Sequence, residues 1–187
     1  MSDNPKQERT LTIDWLLPDG IASWLTSRAG TSEIQNARGV AMELESSLAA
    51  QVKEICDEGD VLIGMGELQD AFKNFSEALS LVPEPKEAYL ATAGILAGLG
   101  DVYFQAKSYV QGKEVLSDAM HCAGAIGSPF LHLRLGQCQF EIGNVDRAAD
   151  ELARAYMGAG QEIFSQEDPK YFEFLKTRLK PPASGRW

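Results

Sequence analysis

Two histidines and three cysteines are the side chains of this 187-residue sequence best suited to nucleophilic or metal chemistry, and their spacing serves neither. Cys56, Cys122 and Cys138 are odd in number and form no Cys-x-x-Cys step, which argues against a disulfide framework and against a zinc knuckle. His121 beside Cys122, and His132 ahead of Cys138, fall short of the four converging ligands that a structural zinc site needs. Neither histidine has the nucleophile and carboxylate neighbours of acyl-transfer chemistry. The glycines of Gly64-Met65-Gly66 follow no strand pattern, so phosphate-cradling loops find no match there. Carboxylates are plentiful, but on helical surfaces abundance is not a catalytic pair. The expectation is a chain with no catalytic residues, no metal and no cofactor, and hence not an enzyme.

Charge narrows the partner instead. The chain carries 27 acidic against 17 basic residues, a formal net charge of −10. A surface of that sign repels nucleic-acid backbones and anionic membranes, so neither is expected and a basic protein is the natural counterpart. Acidic residues concentrate at Glu43, Glu45, Glu54, Asp57, Glu58, Asp60, Glu67, Asp70 and Glu77, opposed there only by Lys53 and Lys73. They form either a solvated helix face or a recognition surface. The opening MSDNPKQERT has no apolar signal core, and apolar runs stay far below the ~20 residues of a membrane span, which together point to a cytoplasmic location. Hydrophobic residues at 44% and charged residues at 24% suit one well-buried domain.

The elements that would carry a binding surface emerge from internal periodicity. Gly59, Gly100 and Gly136 come into register. Twelve residues after each stands a small residue (Ala71, Gly112, Ala148), then an apolar one (Phe75, Leu116, Leu152), then an alanine (Ala78, Ala119, Ala155), then Pro83, Gly124 or Gly160. Small residues let paired helices approach closely, larger apolar ones fill the space between pairs, and the final Pro or Gly ends the second helix. This register resembles the tetratricopeptide repeat, a helix-turn-helix unit of about 34 residues.

The resemblance implies an all-α fold, a right-handed solenoid of three tetratricopeptide-like units over 49–160 (52–85, 93–126 and 129–162). Residues 1–48 are expected to be an N-terminal helical extension, with a helix over 33–58. Residues 163–187 are expected to be a capping helix and a loose tail, the helix starting at Asp168-Pro169 and ending before Pro181-Pro182. The starts of the units lie 41 and 36 residues apart, so the extra residues from Pro83 to Leu90 either extend a helix Lys86 to Gln105 or form a loop. Ser128 and Pro129 read as the N-cap and first turn of the third unit. Upstream, Trp15 and Trp24 within an apolar cluster either cap the first unit or dock a partner.

Tetratricopeptide proteins usually bind through the first helix of each pair. Transferred position by position, that face comprises Lys53, Cys56, Asp60 and Ile63, then Gly94, Ala97, Asp101 and Phe104, then Phe130, Leu133, Gln137 and Phe140, with Arg134 beside them. The implied groove is apolar and acidic, with Phe104 and Phe140 either forming an aromatic ledge or packing against the C-terminal helix. In co-chaperones of the family that grip the carboxylate tail of large heat-shock proteins, a basic clamp occupies positions that here hold Cys56, Asp60, Gly98, Phe130 and Arg134. Only Arg134 suits that task, so that function is not expected. The stretch from Ser128 to Phe164, followed by EDPKYFEFLK, looks like small bacterial tetratricopeptide proteins associated with toxin-immunity loci. The function so implied is binding and neutralisation of a cognate toxin, with a secretion chaperone or general scaffold as the alternative.

Overall fold

The computed structural model describes residues 41–180. Trp15, Trp24, the upstream part of the expected 33–58 helix, and the tail from Pro181 lie outside the described residues. Within them the chain is all-helical, with α1 (Ser46–Met65), α2 (Leu68–Leu81), α3 (Leu90–Gln105), α4 (Tyr109–Ala119), α5 (Pro129–Glu141), α6 (Val145–Ala159) and α7 (Pro169–Arg178). Neighbours pack as pairs, α1 with α2, α3 with α4, and α5 with α6, while α7 lies against α6. The first helices of the pairs also touch in succession, α1 with α3 and α3 with α5.

Local chemistry explains most of these helices. In α2 the buried residues Ala71, Phe72, Phe75, Ala78 and Leu79 recur at the three- and four-residue steps of one helical face. Helix α6 follows the same rule with Ala148, Leu152 and Ala155, each fully buried. Helix α3 differs, because it packs on α1, α2, α4 and α5. Accordingly it is apolar nearly all round, from Thr92 and Ala93 to Val102 and Tyr103. Helix α5 starts as the sequence predicts, with Pro129 in the first turn and the Ser128 hydroxyl accepting the Leu131 N–H at 3.4 Å. Likewise α7 begins at Pro169 and is capped by Asp168, whose carboxylate accepts the Lys170 N–H at 2.9 Å.

The glycine register becomes a set of close contacts. A Cβ on Gly59 would sit 2.9 Å from the Phe75 ring, one on Gly100 2.4 Å from Leu116, and one on Gly136 2.8 Å from Leu152. Each glycine therefore removes a side chain so that the large residue of the following helix can seat on bare backbone. Phe75 does this twice, since a Cβ on Gly98 would lie 2.3 Å from its ring. Its ring thus fills the space between α1 and α3.

Each pair also turns in the same way. Gly66, Lys107 and Gly143 hold φ of 79°, 59° and 81°, just beyond α1, α3 and α5. The N–H after each reaches back into the helix, from Glu67 to Leu62 O, from Ser108 to Tyr103 O and from Asn144 to Gln139 O, at 2.8 to 2.9 Å. This is the left-handed helix stop that satisfies terminal carbonyls, and two of its three copies use glycine.

One expectation needs correction. Residues 41–45 are not helical: Met42 pairs in parallel with Tyr89, its N–H donating to Ala88 O at 2.8 Å and its carbonyl accepting from Leu90 N at 3.0 Å. Backbone groups used in that pairing are not free for helix bonds, and α1 begins only after it, running unbroken past the expected 48/49 boundary. Of the two alternatives for the extra residues before Leu90, the loop is the one observed, with a 3-10 turn at Lys86–Ala88. The Thr92 hydroxyl and the Lys86 ammonium bond to the carbonyls of Lys86 and Val82, which holds this loop on the ends of α2 and α3.

Urea unfolding of two variants tests this account. Gly98→Ala forces a methyl group into the Phe75 ring and is expected to cost about 1–3 kcal/mol. Lys107→Gly relieves the one non-glycine left-handed residue among the described residues and is expected to add about 1 kcal/mol.

Candidate functional site

A cleft of about 900 Å³ opens between α1 and α3. Lys53, Cys56, Asp60 and Ile63 line it from α1, because steps of three, four and three residues keep one helical face turned the same way. Gly94, Ala97, Gly98 and Asp101 face them from α3, and Phe130 closes one end. Glu43 and Leu44, in the extended segment ahead of α1, border it as well. Phe75 lies among the lining residues, so the ring that spaces the two helices also forms part of the cleft wall.

The cleft is apolar in its walls and negative in its fixed charge. Lys53 is paired to Asp57 on its own helix. Asp101 accepts from the Arg134 Nε at 2.6 Å. Asp60 has neither hydrogen bond nor ion pair among the described residues. Burial raises its carboxyl, the charges of Asp101 and Asp57 add to the rise, and Lys53 opposes it. Burial also lifts Asp101, although Arg134 pulls it back. The Cys56 thiol is pushed up to about 11, by burial first and then by Asp60 and Asp57. At neutral pH it is a protonated thiol rather than a thiolate nucleophile.

The remaining sequence-derived positions divide differently from expectation. Leu133, Arg134 and Gln137 are buried, with Gln137 at 0% exposure, and offer a partner no surface. Phe140 packs on Tyr171 and Phe174 at centroid distances of 5.5 and 4.9 Å, and Phe104 on Tyr109 and Tyr171 at 5.7 and 6.2 Å. Of the two alternatives for these rings, packing against the C-terminal helix α7 is the one observed. Leu133 and Phe140 of the expected α5 face pack against α7, whose Tyr171 also donates to Glu141 at 2.6 Å, whereas Phe130 of the same face borders the cleft. Conversely, Glu43, Leu44 and Phe75 line the cleft without having been expected there.

Arg134 is the centre of a buried polar cluster. Its Nε bonds Asp101 of α3, and its Nη1 bonds Gln137 and Glu167 at 2.7 Å each. Gln137 Nε2 donates to Glu167 as well, at 2.8 Å. The guanidinium lies over Phe104 and Phe130, 4.6 and 5.3 Å from their ring centroids. One cation thereby ties α3, α5 and the segment leading to α7.

Buried His132 places Nδ1 2.6 Å from a Glu151 carboxylate oxygen and Nε2 3.0 Å from the Ile126 carbonyl. It braces α5 against α6 and the preceding turn rather than pairing with Cys138, which is packed against Gly112. Among the described residues no group of three or more His, Cys, Asp or Glu is placed to hold a metal ion. No helix among them is long and apolar enough to cross a membrane.

Two charge changes have opposite expected effects. Arg134→Met leaves Asp101 and Glu167 without their buried cation and is expected to cost about 3–5 kcal/mol in urea unfolding. Arg134→Lys does not restore it, since an ammonium lacks the planar fork. For Asp60 the sign is reversed. A carboxyl raised in the folded state supports folding fully below its ordinary range, and that support is lost as pH rises through the raised value. At pH 7 Asp60→Asn is therefore expected to stabilise, by at most ~1 kcal/mol because the group is exposed and screened. Thermal melts should show that gain shrinking toward zero below about pH 4. In comparisons with known proteins, the chain matches no family model and no curated protein.

Proposed function

We propose that this chain is a non-enzymatic protein-binding module of tetratricopeptide-like helix pairs, seating a segment of a partner protein in the cleft between α1 and α3. The cleft carries the proposal. It offers about 900 Å³ of space with Ile63, Ala97 and Phe130 among its walls and a carboxylate, Asp60, at its edge without an ion pair among the described residues. Apolar walls with a few placed polar groups are the general form of a recognition site. Support for the repeat reading comes from three helix pairs that share one glycine-to-apolar contact and one left-handed turn. The high thiol value of Cys56 favours binding over nucleophilic chemistry in this cleft.

The partner that fits best is a basic toxin, which the chain would neutralise by covering a functional surface. A net charge of −10 speeds encounter with a protein of opposite sign, and apolar contacts in the cleft would then slow release.

The test is co-expression with toxin-domain proteins encoded beside this chain, scoring growth protection. Gly94→Trp supplies the control, because Gly94 lines the cleft and a Cβ there meets nothing within 4 Å. The variant is expected to keep the wild-type melting profile while filling the cleft and abolishing protection. Protection by the folded Gly94→Trp protein would move the binding surface elsewhere, and absence of protection by the wild type would remove the toxin assignment.

A further inference from the structure

We propose that a second surface, the outward face of α6 beside the segment 126–129, pairs with the same face of a second copy of this chain. The α1–α3 cleft takes no part in it. Met157 and Ile126 are the two most exposed large apolar side chains among the described residues, at 83% and 73%, and both line one recess of about 410 Å³. Pro129 and Ala153 line it as well. Gly158 lets Pro129 seat against α6, since a Cβ there would lie 2.8 Å from the proline ring. Large apolar groups scattered singly over a surface need no explanation, but two of them gathered at one recess mark a place of association.

Charge selects the occupant. The charged side chains of α6 that line the recess, Asp150 and Arg154, cancel: they stand one turn apart, about half exposed, and pair at 3.1 Å. His132, in the recess wall, has both ring nitrogens engaged by Glu151 and by the Ile126 carbonyl. The recess thus lacks the surplus negative charge that would draw a basic partner, although the chain as a whole carries −10. A two-fold contact sets a patch against itself in reverse order, so the patch must be its own complement. This one is. When two copies of α6 cross antiparallel at Ala153, whose short side chain permits close approach, Asp150 of each copy comes within reach of Arg154 of the other, and opposite charges meet twice across the axis. Met157, one turn beyond Ala153 on the same helical face, then projects toward the recess of the second copy. An unbranched methionine adapts to such an irregular space.

Sedimentation of the full chain over a wide range of concentrations tests this, at about 0.15 M salt, where charge repulsion is screened beyond about 8 Å. The wild-type mass is expected to rise from that of the 20.4 kDa monomer toward that of a dimer. Met157→Glu, at a position exposed enough to leave folding intact, should weaken association on the order of tenfold. Asp150→Arg and Arg154→Asp should each lose self-association, because like charges then face one another, and an equal mixture of the two should recover the dimer. Gly94→Trp should dimerise as the wild type does, so that the cleft and this face are judged apart. Thermal melts check that each variant is folded. A chain that stays monomeric throughout, dimers that tolerate Met157→Glu, a mixture of the two charge variants that remains monomeric, or a dimer lost in folded Gly94→Trp would each overturn the proposal.

Discussion

The seating of the Phe75 ring against two glycines sets the geometry on which the other features rest. Side-chain atoms on Gly59 or Gly98 would have to occupy the space that the ring fills. With both glycines in place, α1 and α3 are held at the separation of one aromatic ring, which is narrow enough to pack and wide enough to leave a cleft beside it. The same device, with leucine in place of phenylalanine, closes the α3–α4 and α5–α6 pairs at Gly100 and Gly136. A ring bridges two first helices where a leucine serves a single pair, and the cleft lies at that bridge. Core packing and the wall of the cleft are therefore two sides of one contact.

A second constraint acts at the other end. Arg134 brings together residues 33 positions before and 33 positions after it, Asp101 and Glu167, within a core where charges are stable only when matched. The aromatic residues that flank it, Phe104 and Phe130, belong to two different surfaces. Phe104 turns to Tyr171 and the C-terminal helix, whereas Phe130 turns to the cleft. The cluster consequently joins the closure of the helical array to the wall of its open site. Asp60 shows the contrary arrangement, a carboxylate whose raised proton affinity opposes the folded state at neutral pH.

What could be read from the sequence follows the range of the interactions involved. The shared spacing of Gly59 and Phe75, Gly100 and Leu116, and Gly136 and Leu152 was legible in the sequence, but not the contacts themselves: the sequence placed the large residues between successive pairs, whereas Leu116 and Leu152 seat on the glycine of their own pair. Ser128-Pro129 and Asp168-Pro169 were legible because a cap depends on its nearest neighbours. The face formed by Lys53, Cys56, Asp60 and Ile63 was carried over from the resemblance to the tetratricopeptide repeat, and its spacing keeps these residues on one side of α1. By contrast, Leu133, Gln137 and Phe140 share a face of α5 by the same period, and which of the two alternatives for Phe140 holds depends on α7, some 30 residues away, while Gln137 is taken by Glu167 just ahead of that helix. The extended residues around Met42 were missed for a similar reason, since their hydrogen-bond partners lie at 88–90. The left-handed stop at Lys107 was hidden because lysine stands where its counterparts have glycine.

The crowding at Gly98 and the open space at Gly94 lie a single helical turn apart on α3, and they divide the cleft into fixed and adjustable ground. At Gly98 any side chain collides with the ring that spaces the helices, so substitution there disturbs the frame. At Gly94, and across the cleft at Lys53 and Ile63, substitution alters what the cleft displays while leaving its frame untouched. A scaffold divided in this way can change the surface of its cleft through a few outward positions while its helix spacing stays fixed. Variation is thereby steered to side chains that face open space, while the separation of α1 and α3 stays with Gly59, Phe75 and Gly98.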